Sequence, residues 1–125
     1  MRALVTGGAG FIGGHLTDRL IDDGYDVIVI DNESAEANEI FHNNPKADYH
    51  KLDINDYEKI EGLFQNVDYV FHLAAESRIG PCIENPMMAC QTNVIGTCNV
   101  LQASRIHKVK RVVYSSTSAC YGLTK

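Results

Sequence analysis

Apolar positions along this chain show two alternating habits: short unbroken runs, and stretches in which they recur at three- and four-residue steps. The runs read as strands covered on both faces, and the stepped stretches as helices with one buried stripe. Ala3-Leu4-Val5 is the first run, and Ile12, Leu16 and Leu20, widened by Phe11 and Ile21, form the first stripe, which Gly24 ends. Val27-Ile28-Val29-Ile30 is too continuous to leave a wet face, as in a central strand of a parallel sheet, and stops at Asp31. Residues 49–52 predict a third strand closed by Asp53. Asn55 or Asp56 then caps a helix to about Phe64, on the stripe Tyr57, Ile60, Leu63 and Phe64. Residues 68–73 predict the fourth strand, giving way to Ala74-Ala75. Beyond a loop containing Gly80-Pro81, a long helix is expected from Asn85-Pro86 to His107, with Pro86 in its first turn. Its slim residues Ala89, Cys90, Asn93, Gly96, Thr97 and Val100 suit close approach to another backbone. Residues 111–114 predict a fifth strand. Residues 32–47 are polar, with a short helix expected around residues 36–42.

Strand and helix thus alternate with long crossovers, the pattern of an α/β fold in which a Rossmann-like parallel sheet carries helices on both faces. No linker or repeat divides the chain, so residues 1–125 are expected to form one domain, the N-terminal part of such a fold without its later strands. With 45% hydrophobic and 22% charged residues, the composition is that of an ordinary globular protein.

A net charge of -5 argues against nucleic acid as a partner, because phosphate-backbone binders carry a broad basic face. The basic cluster at residues 107–111 reads as a helix end favoured by the macrodipole. No run approaches the roughly 18 apolar residues of a membrane span, and Met1-Arg2 leads straight into a strand, so a cytoplasmic protein is expected. None of Cys82, Cys90, Cys98 and Cys120 shows CxxC spacing, and eight-residue steps advance about 80° on a helix, so no metal site is expected. All four are expected to be reduced and partly buried.

The first strand, its turn and the helix that follows carry the most specific chemistry. Gly7, Gly10 and Gly13 form GxxGxxG directly between strand and helix. Gly7 serves the tight turn, Gly10 admits a pyrophosphate close to the backbone, and Gly13 lets the helix lie close to the sheet, while the helix N-terminus faces the dianion. No Gly-Lys-Ser/Thr follows, which excludes a P-loop. Asp31, ending the second strand, suits an adenosine ribose, and neither Asn32 nor Glu33 is a cation for a 2′-phosphate, so NAD is preferred to NADP. A turn or helix-cap role for Asp31 is the structural alternative. Asp53 has two readings as well, acceptor for an adenine amino group beside the apolar Ile54, or cap of the next helix.

The fourth and fifth strands deliver residues 72–78 and 115–118 to the same carboxyl edge. His72, between Phe71 and Leu73, reads as a packed, hydrogen-bonded histidine more readily than as a base, and Arg78 as a surface arginine as readily as a phosphate ligand. No GxSxG elbow accompanies the hydroxyls at 115–118, so they suit hydrogen bonding to a reacting oxygen, or a loop cap, better than nucleophilic attack.

Residues Thr6-Gly7-Gly8-Ala9-Gly10-Phe11-Ile12-Gly13 resemble the TGGxGFIG signature of the extended short-chain dehydrogenase/reductases. Asp53-Ile54, His72-Leu73-Ala74-Ala75, Asn93-Val94-Ile95-Gly96-Thr97 and residues 112–122 are similar to that family in order and spacing, so the resemblance spans the chain. Within the family it is nearest to the NAD-dependent nucleotide-sugar epimerase/dehydratase group, in particular the UDP-glucose (UDP-galactose) 4-epimerases. The resemblance implies that Gly7, Gly10, Phe11, Ile12 and Gly13 contact the pyrophosphate, Asp31 and Asn32 the adenosine ribose, and Asp53 and Ile54 the adenine. It implies that Leu73, Ala74 and Ala75 line the cofactor, that Asn93 supports the cofactor-binding loops, and that Ser115 and Ser116 pass beside the nicotinamide. Thr117 takes the place of the catalytic Ser/Thr, and Glu76 and Ser77 approach the nicotinamide and sugar. The implied activity is epimerisation of a nucleotide sugar in carbohydrate metabolism, by transient oxidation at C4 and return of the hydride, in a homodimeric full-length enzyme.

Tyr121 and Lys125 have YxxxK spacing, yet Tyr121-Gly122 corresponds in the family to the YG that follows the Ser/Thr motif. The catalytic tyrosine and lysine are therefore expected beyond Lys125, and the 125-residue chain is expected to be a fragment inactive in epimerisation by itself. The alternatives are a 4,6-dehydratase or decarboxylase of the same family, or a non-catalytic NAD-binding module. Dehydratases usually carry Asp-Glu after the Ser/Thr position, where Ser118-Ala119 stands here.

Overall fold

The structure, a computed structural model, describes residues 1–35 and 40–122. In chain order it contains β1 (Arg2–Thr6), α1 (Phe11–Asp22), β2 (Asp26–Asp31), β3 (Asp48–Lys51), α2 (Tyr57–Ile60) running into a 3-10 turn (Glu61–Phe64), and β4 (Tyr69–His72). Then come α3 (Ile79–Glu84), α4 (Pro86–Cys90), a π-helical turn (Gln91–Gly96), α5 (Thr97–Ile106), β5 (Arg111–Tyr114) and a 3-10 turn (Ser118–Tyr121). The sheet has five strands in the order β3-β2-β1-β4-β5, and all four pairings are parallel. This is the expected Rossmann-like arrangement.

Side chains alternate across the pleat and divide the core in two. Ala3 and Val5 of β1 with Val27 and Val29 of β2 pack with Leu20 of α1 on one face. Leu4, Ile28, Ile30 and Val70 pack on the other with Ile60, Phe64, Val100 and Ala103. Burial on both faces is why β1 and β2 read as unbroken apolar runs.

Several local expectations need correction. Gly80-Pro81 does not make a loop: both residues lie in the first turn of α3, where the amide that proline lacks has no helical partner. The long helix is interrupted by the π-helical turn, a local change of hydrogen-bond spacing that no residue type announces in sequence. Its start was legible, since Asn85 Oδ1 accepts from the Met88 amide and Pro86 follows. The helix after β3 reaches Phe64 as expected, with its second half wound as a 3-10 turn. Asp56 stands at its N-terminus without capping it, because its carboxylate takes the Lys59 ammonium at 2.8 Å instead. Of the cysteines, all free, only Cys82 is half-buried and Cys90, Cys98 and Cys120 are exposed. For Cys98 the reason is that α5 buries only the stripe Val100, Ala103 and Ser104. The small residue that permits close packing is Gly96, whose missing Cβ makes room for the Ile54 side chain rather than for another backbone. The short helix expected around residues 36–42 falls mostly outside the described residues. Among the described residues, no helix is long and apolar enough to cross a membrane.

Candidate functional site

Strand order reverses between β1 and β4, which opens a crevice at the carboxyl edge where the chain leaves β1 in one direction and β4 in the other. The loops leaving this edge are held by one further sheet-type hydrogen bond each. Gly7 donates to Ile30 O at 2.8 Å, Leu52 to Asp31 O at 3.0 Å, Leu73 to Thr6 O at 3.1 Å and Ser115 to His72 O at 3.1 Å. Every loop to which the sequence assigns a ligand-binding role therefore starts from a fixed backbone.

The glycine-rich turn is built by contact. Gly7 sits at φ +73°, and a Cβ there would lie 2.7 Å from the Ala74 nitrogen, so the turn packs directly on the chain leaving β4. At Gly13 a Cβ would lie 2.1 Å from the Gly7 carbonyl oxygen. The close approach at Gly13 is thus to the turn itself, not to the sheet as expected. Gly10 differs: it is the N-cap of α1, and the nearest atom to an added Cβ is Gly7 O at 3.4 Å. The protein leaves that space open. With no capping side chain at Gly10, the first-turn amides of Phe11, Ile12 and Gly13 remain to face an anion.

Two clefts flank the turn and share Gly7, Gly10, Leu73, Ala74, Ala75 and Glu76. The first lies over β2 and adds Asp31, Asn32 and Ile54, with an empty volume of about 610 Å³. The second, with an empty volume of about 1510 Å³, adds Phe11, Ile12, Gly13, Ser77, Asn93, Ser115, Ser116 and Thr117. Every site residue expected from sequence except Asp53 therefore lines one continuous crevice. Asp53 sits in an adjoining depression with Asn32, Asn55 and Thr92.

On the first side Asp31 shows why its two readings are not exclusive. One carboxylate oxygen accepts from the Ala9 amide at 3.0 Å and the other from the Glu33 amide at 2.8 Å, so it ties the glycine turn to the end of β2. Each oxygen keeps a lone pair for a ribose hydroxyl. Asp53 accepts from Asn32 Nδ2 at 3.0 Å and from the Asn55 amide at 2.8 Å, which makes an Asx turn ahead of α2 rather than its cap. Glu33 takes the Tyr49 hydroxyl and the Lys51 ammonium. Those two donors hold its carboxyl below the usual range, while burial and the Glu33 hydrogen bond push the Tyr49 phenol up.

On the second side, Asn93 binds both backbone groups of Glu76: its Oδ1 accepts from the amide at 2.8 Å and its Nδ2 donates to the carbonyl at 2.9 Å. It thereby fixes the backbone of the loop after β4. The neighbouring residues Thr92 and Asn93 line different clefts. Thr117 Oγ1 accepts from the Ala119 amide at 3.2 Å as an N-cap, which leaves its hydrogen free to be donated. Tyr121 is exposed, and Lys125 lies outside the described residues.

His72 is the packed histidine that its flanking residues suggest, 2% exposed, with Nδ1 2.6 Å from Thr6 Oγ1 and Nε2 2.9 Å from Thr97 Oγ1. Burial holds its pKa below the ordinary value. The unfolded chain then binds a proton below about pH 6.5 that the native state refuses, so His72 stabilises less as pH falls through that value toward its own lowered one. Urea titrations at pH 7 and pH 5.5 should show stability falling on acidification, and His72→Gln should make that fall shallower; an unchanged slope would contradict it.

Thr6, Thr97 and Asn99 carry site geometry that the sequence did not reveal. Asn99 Nδ2 donates to the Ile54 carbonyl at 2.9 Å and the Asn55 carbonyl at 3.2 Å, fixing the loop after β3. No spacing distinguishes such an asparagine from an exposed helical one. Thr6 was visible as the end of a strand and the first residue of the TGGxGFIG signature, without a role of its own.

The family model described as GDP-mannose 4,6 dehydratase matches residues 4–125. The UDP-glucose 4-epimerase of Halalkalibacterium halodurans is 39% identical over 125 residues, which are 98% of this chain and 36% of that protein. Among solved structures, the UDP-glucose 4-epimerase of Thermotoga maritima with UDP-glucose superimposes at a TM-score of 0.89 and 41% identity, over 95% of this chain and 38% of that one. The UDP-glucose 4-epimerase of Thermus thermophilus in complex with NAD gives 0.84 and 34%, over 94% and 38%. The chain thus spans little more than a third of the length of these relatives.

Proposed function

The chain belongs to the GDP-mannose 4,6 dehydratase family, and from that premise we propose that it is the NAD-binding part of a nucleotide-sugar 4-epimerase of the UDP-glucose/UDP-galactose type. The observation that carries the cofactor assignment is the open space at Gly10 in front of uncapped helix amides, flanked by Asp31 on one side and by hydroxyl-bearing loops on the other. A pyrophosphate fits the turn at Gly7, Gly10, Phe11, Ile12 and Gly13. Asp31 and Asn32 receive the adenosine ribose, with Ile54 under the adenine and Asp53 at its edge. Leu73, Ala74 and Ala75 form the floor of the crevice, and Ser115 and Ser116 flank its nicotinamide end. NAD, when bound, accepts a hydride and returns it. Thr117 donates its hydroxyl hydrogen to the reacting sugar oxygen, while Glu76 and Ser77, held by Asn93, position the sugar. Residues 1–125 act as one NAD-binding unit in this reading, within a homodimeric cytoplasmic enzyme.

A 4,6-dehydratase is the second reading, favoured by the description of the family model itself. Ser118-Ala119 after Thr117, in place of the acidic pair usual in dehydratases, supports the epimerase, as do the names of the relatives. Incubating the product of the whole reading frame with NAD and UDP-galactose distinguishes them: UDP-glucose is the expected product, and a 4-keto-6-deoxy sugar would overturn the assignment.

The cofactor preference has its own check. Asp31→Ala removes charged acceptors for the ribose, so calorimetry should show NAD⁺ binding weakened about 10- to 100-fold and the preference over NADP⁺ narrowed. An unaltered NAD⁺ affinity would place the ribose elsewhere.

A further inference from the structure

Thr6, His72 and Thr97 form a chain of hydrogen bonds that runs from the buried sheet edge to the wall of the second cleft. At its inner end the Ala74 amide donates to Thr6 Oγ1 at 3.2 Å. Thr6 is 0% exposed, and the one acceptor within reach of its hydroxyl hydrogen, among the described residues, is His72 Nδ1 at 2.6 Å. Were Nδ1 protonated, the Thr6 hydroxyl would be a fully buried donor with nothing to receive it, the arrangement that folded proteins avoid. The hydroxyl therefore donates to Nδ1, and the ring of the neutral imidazole carries its hydrogen on Nε2. Nε2–H then donates to Thr97 Oγ1 at 2.9 Å. Thr97 stands on the first turn of α5, is half-buried, and lines the second cleft beside His72, Asn93 and Ser115. With one lone pair filled from behind, its own hydrogen is turned away from His72, and it has no acceptor among the described residues.

We propose that His72 is a positioning residue whose Nε2–H tautomer makes Thr97 a hydrogen-bond donor into the cleft, and that Thr97 meets an acceptor oxygen of the ribose on the nicotinamide side of the bound dinucleotide. The inference rests on the assignment of NAD to this crevice, and adds a ligand contact and a direction of donation to it. The choice of tautomer is what matters: with the hydrogen on Nδ1, Nε2 would draw the Thr97 hydrogen inward and present the cleft with a lone pair instead. Burial lowers the His72 pKa, which keeps the ring neutral at the pH of the test.

The test uses the 125-residue chain and two probes, NAD⁺ and ADP, the second lacking the distal ribose. Long-range nitrogen–proton NMR spectra at pH 7.5 should show His72 neutral with its hydrogen on Nε2; a hydrogen on Nδ1 would overturn the proposal. Thr97→Val preserves shape and removes the donor. It should weaken NAD⁺ by about fivefold to tenfold while leaving ADP within twofold, the loss appropriate to one neutral hydrogen bond. His72→Gln can still donate toward Thr97 and should keep most of the NAD⁺ affinity, whereas the shorter His72→Asn can accept from Thr6 but not reach Thr97, and should behave like Thr97→Val. Equal weakening of NAD⁺ and ADP in Thr97→Val, or no weakening of either, would overturn the contact with the distal ribose. A parent chain that binds neither probe would instead sink the assignment of NAD to the crevice, and this inference with it.

Discussion

Gly13→Ala is expected to lower the stability of the chain by about 3 kcal/mol, a drop of roughly 10 °C or more in melting temperature for a domain of this size. The added methyl would sit 2.1 Å from the Gly7 carbonyl oxygen, inside any permissible contact, and neither partner can yield cheaply. Gly7 is pinned by its amide bond to Ile30 O and by contact with the chain at Ala74, and Gly13 by the helix that packs Leu20 into the core. Relief requires α1 to move away from the turn. Thermal melts followed by circular dichroism check this, and a melting temperature within about 2 °C of the parent would show that helix and turn are not in contact in solution.

Gly10→Val should do the opposite. Gly10 has φ -76° and ψ 173°, an extended conformation that valine adopts readily, and the space around its Cβ position is open. The variant should melt like the parent within about 2 °C and yet lose NAD⁺ affinity by at least about 100-fold, because its branched side chain fills the place of the pyrophosphate. Calorimetric titration reads this directly. Retained affinity would mean that no phosphate sits on the turn, whatever the folds of the relatives. The two variants thus separate two uses of glycine in one motif: Gly13 accommodates the protein, and Gly10, on the proposed function, accommodates the ligand.

The fold was legible because its strands obey the rule that buried parallel strands are apolar throughout. Ala3-Leu4-Val5 and residues 27–30 carried that signal, and Gly24 and Pro86 marked helix ends for reasons of backbone geometry. What escaped the reading depends on contacts between residues far apart in sequence. Asp31 looked like either a ribose ligand or a turn residue, and only the Ala9 and Glu33 amides show that the turn role is filled with lone pairs to spare. Gly13 was assigned to the helix–sheet contact because sequence order does not reveal that the turn carbonyl lies nearer than any strand. The π-helical turn was missed because no residue type announces a change of helical hydrogen-bond spacing. Asn99 gave no signal and Thr6 none beyond its place in the signature, since an amide on a helix and a hydroxyl at a strand end are ordinary until their partners are seen.

The site divides in the same way. The residues on the glycine turn and at the ends of β2 and β4 could be placed from strand-end logic, and the structure brings them to one crevice. Phe11, Ile12 and Asn93 came only from resemblance, because nothing in their spacing distinguishes a ligand-facing side chain from an exposed one, and resemblance picked Thr117 from the hydroxyls at 115–118 that strand-end logic had already brought to the edge. Phe11 is 80% exposed and Ile12 66%, but Ile79, Ile83 and Met87 on α3 and α4 are as exposed, so exposure alone does not mark the first turn of α1 as a ligand site.

The central claim is that a dinucleotide lies across the β1/β4 crevice on the glycine turn. Titration of the isotopically labelled chain with NAD⁺, followed through its backbone amide resonances, tests that most directly. The account predicts saturable one-to-one shifts that are largest at Gly7, Gly10, Phe11, Ile12 and Gly13, with Asp31, Asn32 and residues 73–76 next, and little change on α2. An absence of saturable shifts, or shifts centred away from the carboxyl edge of the sheet, would contradict it.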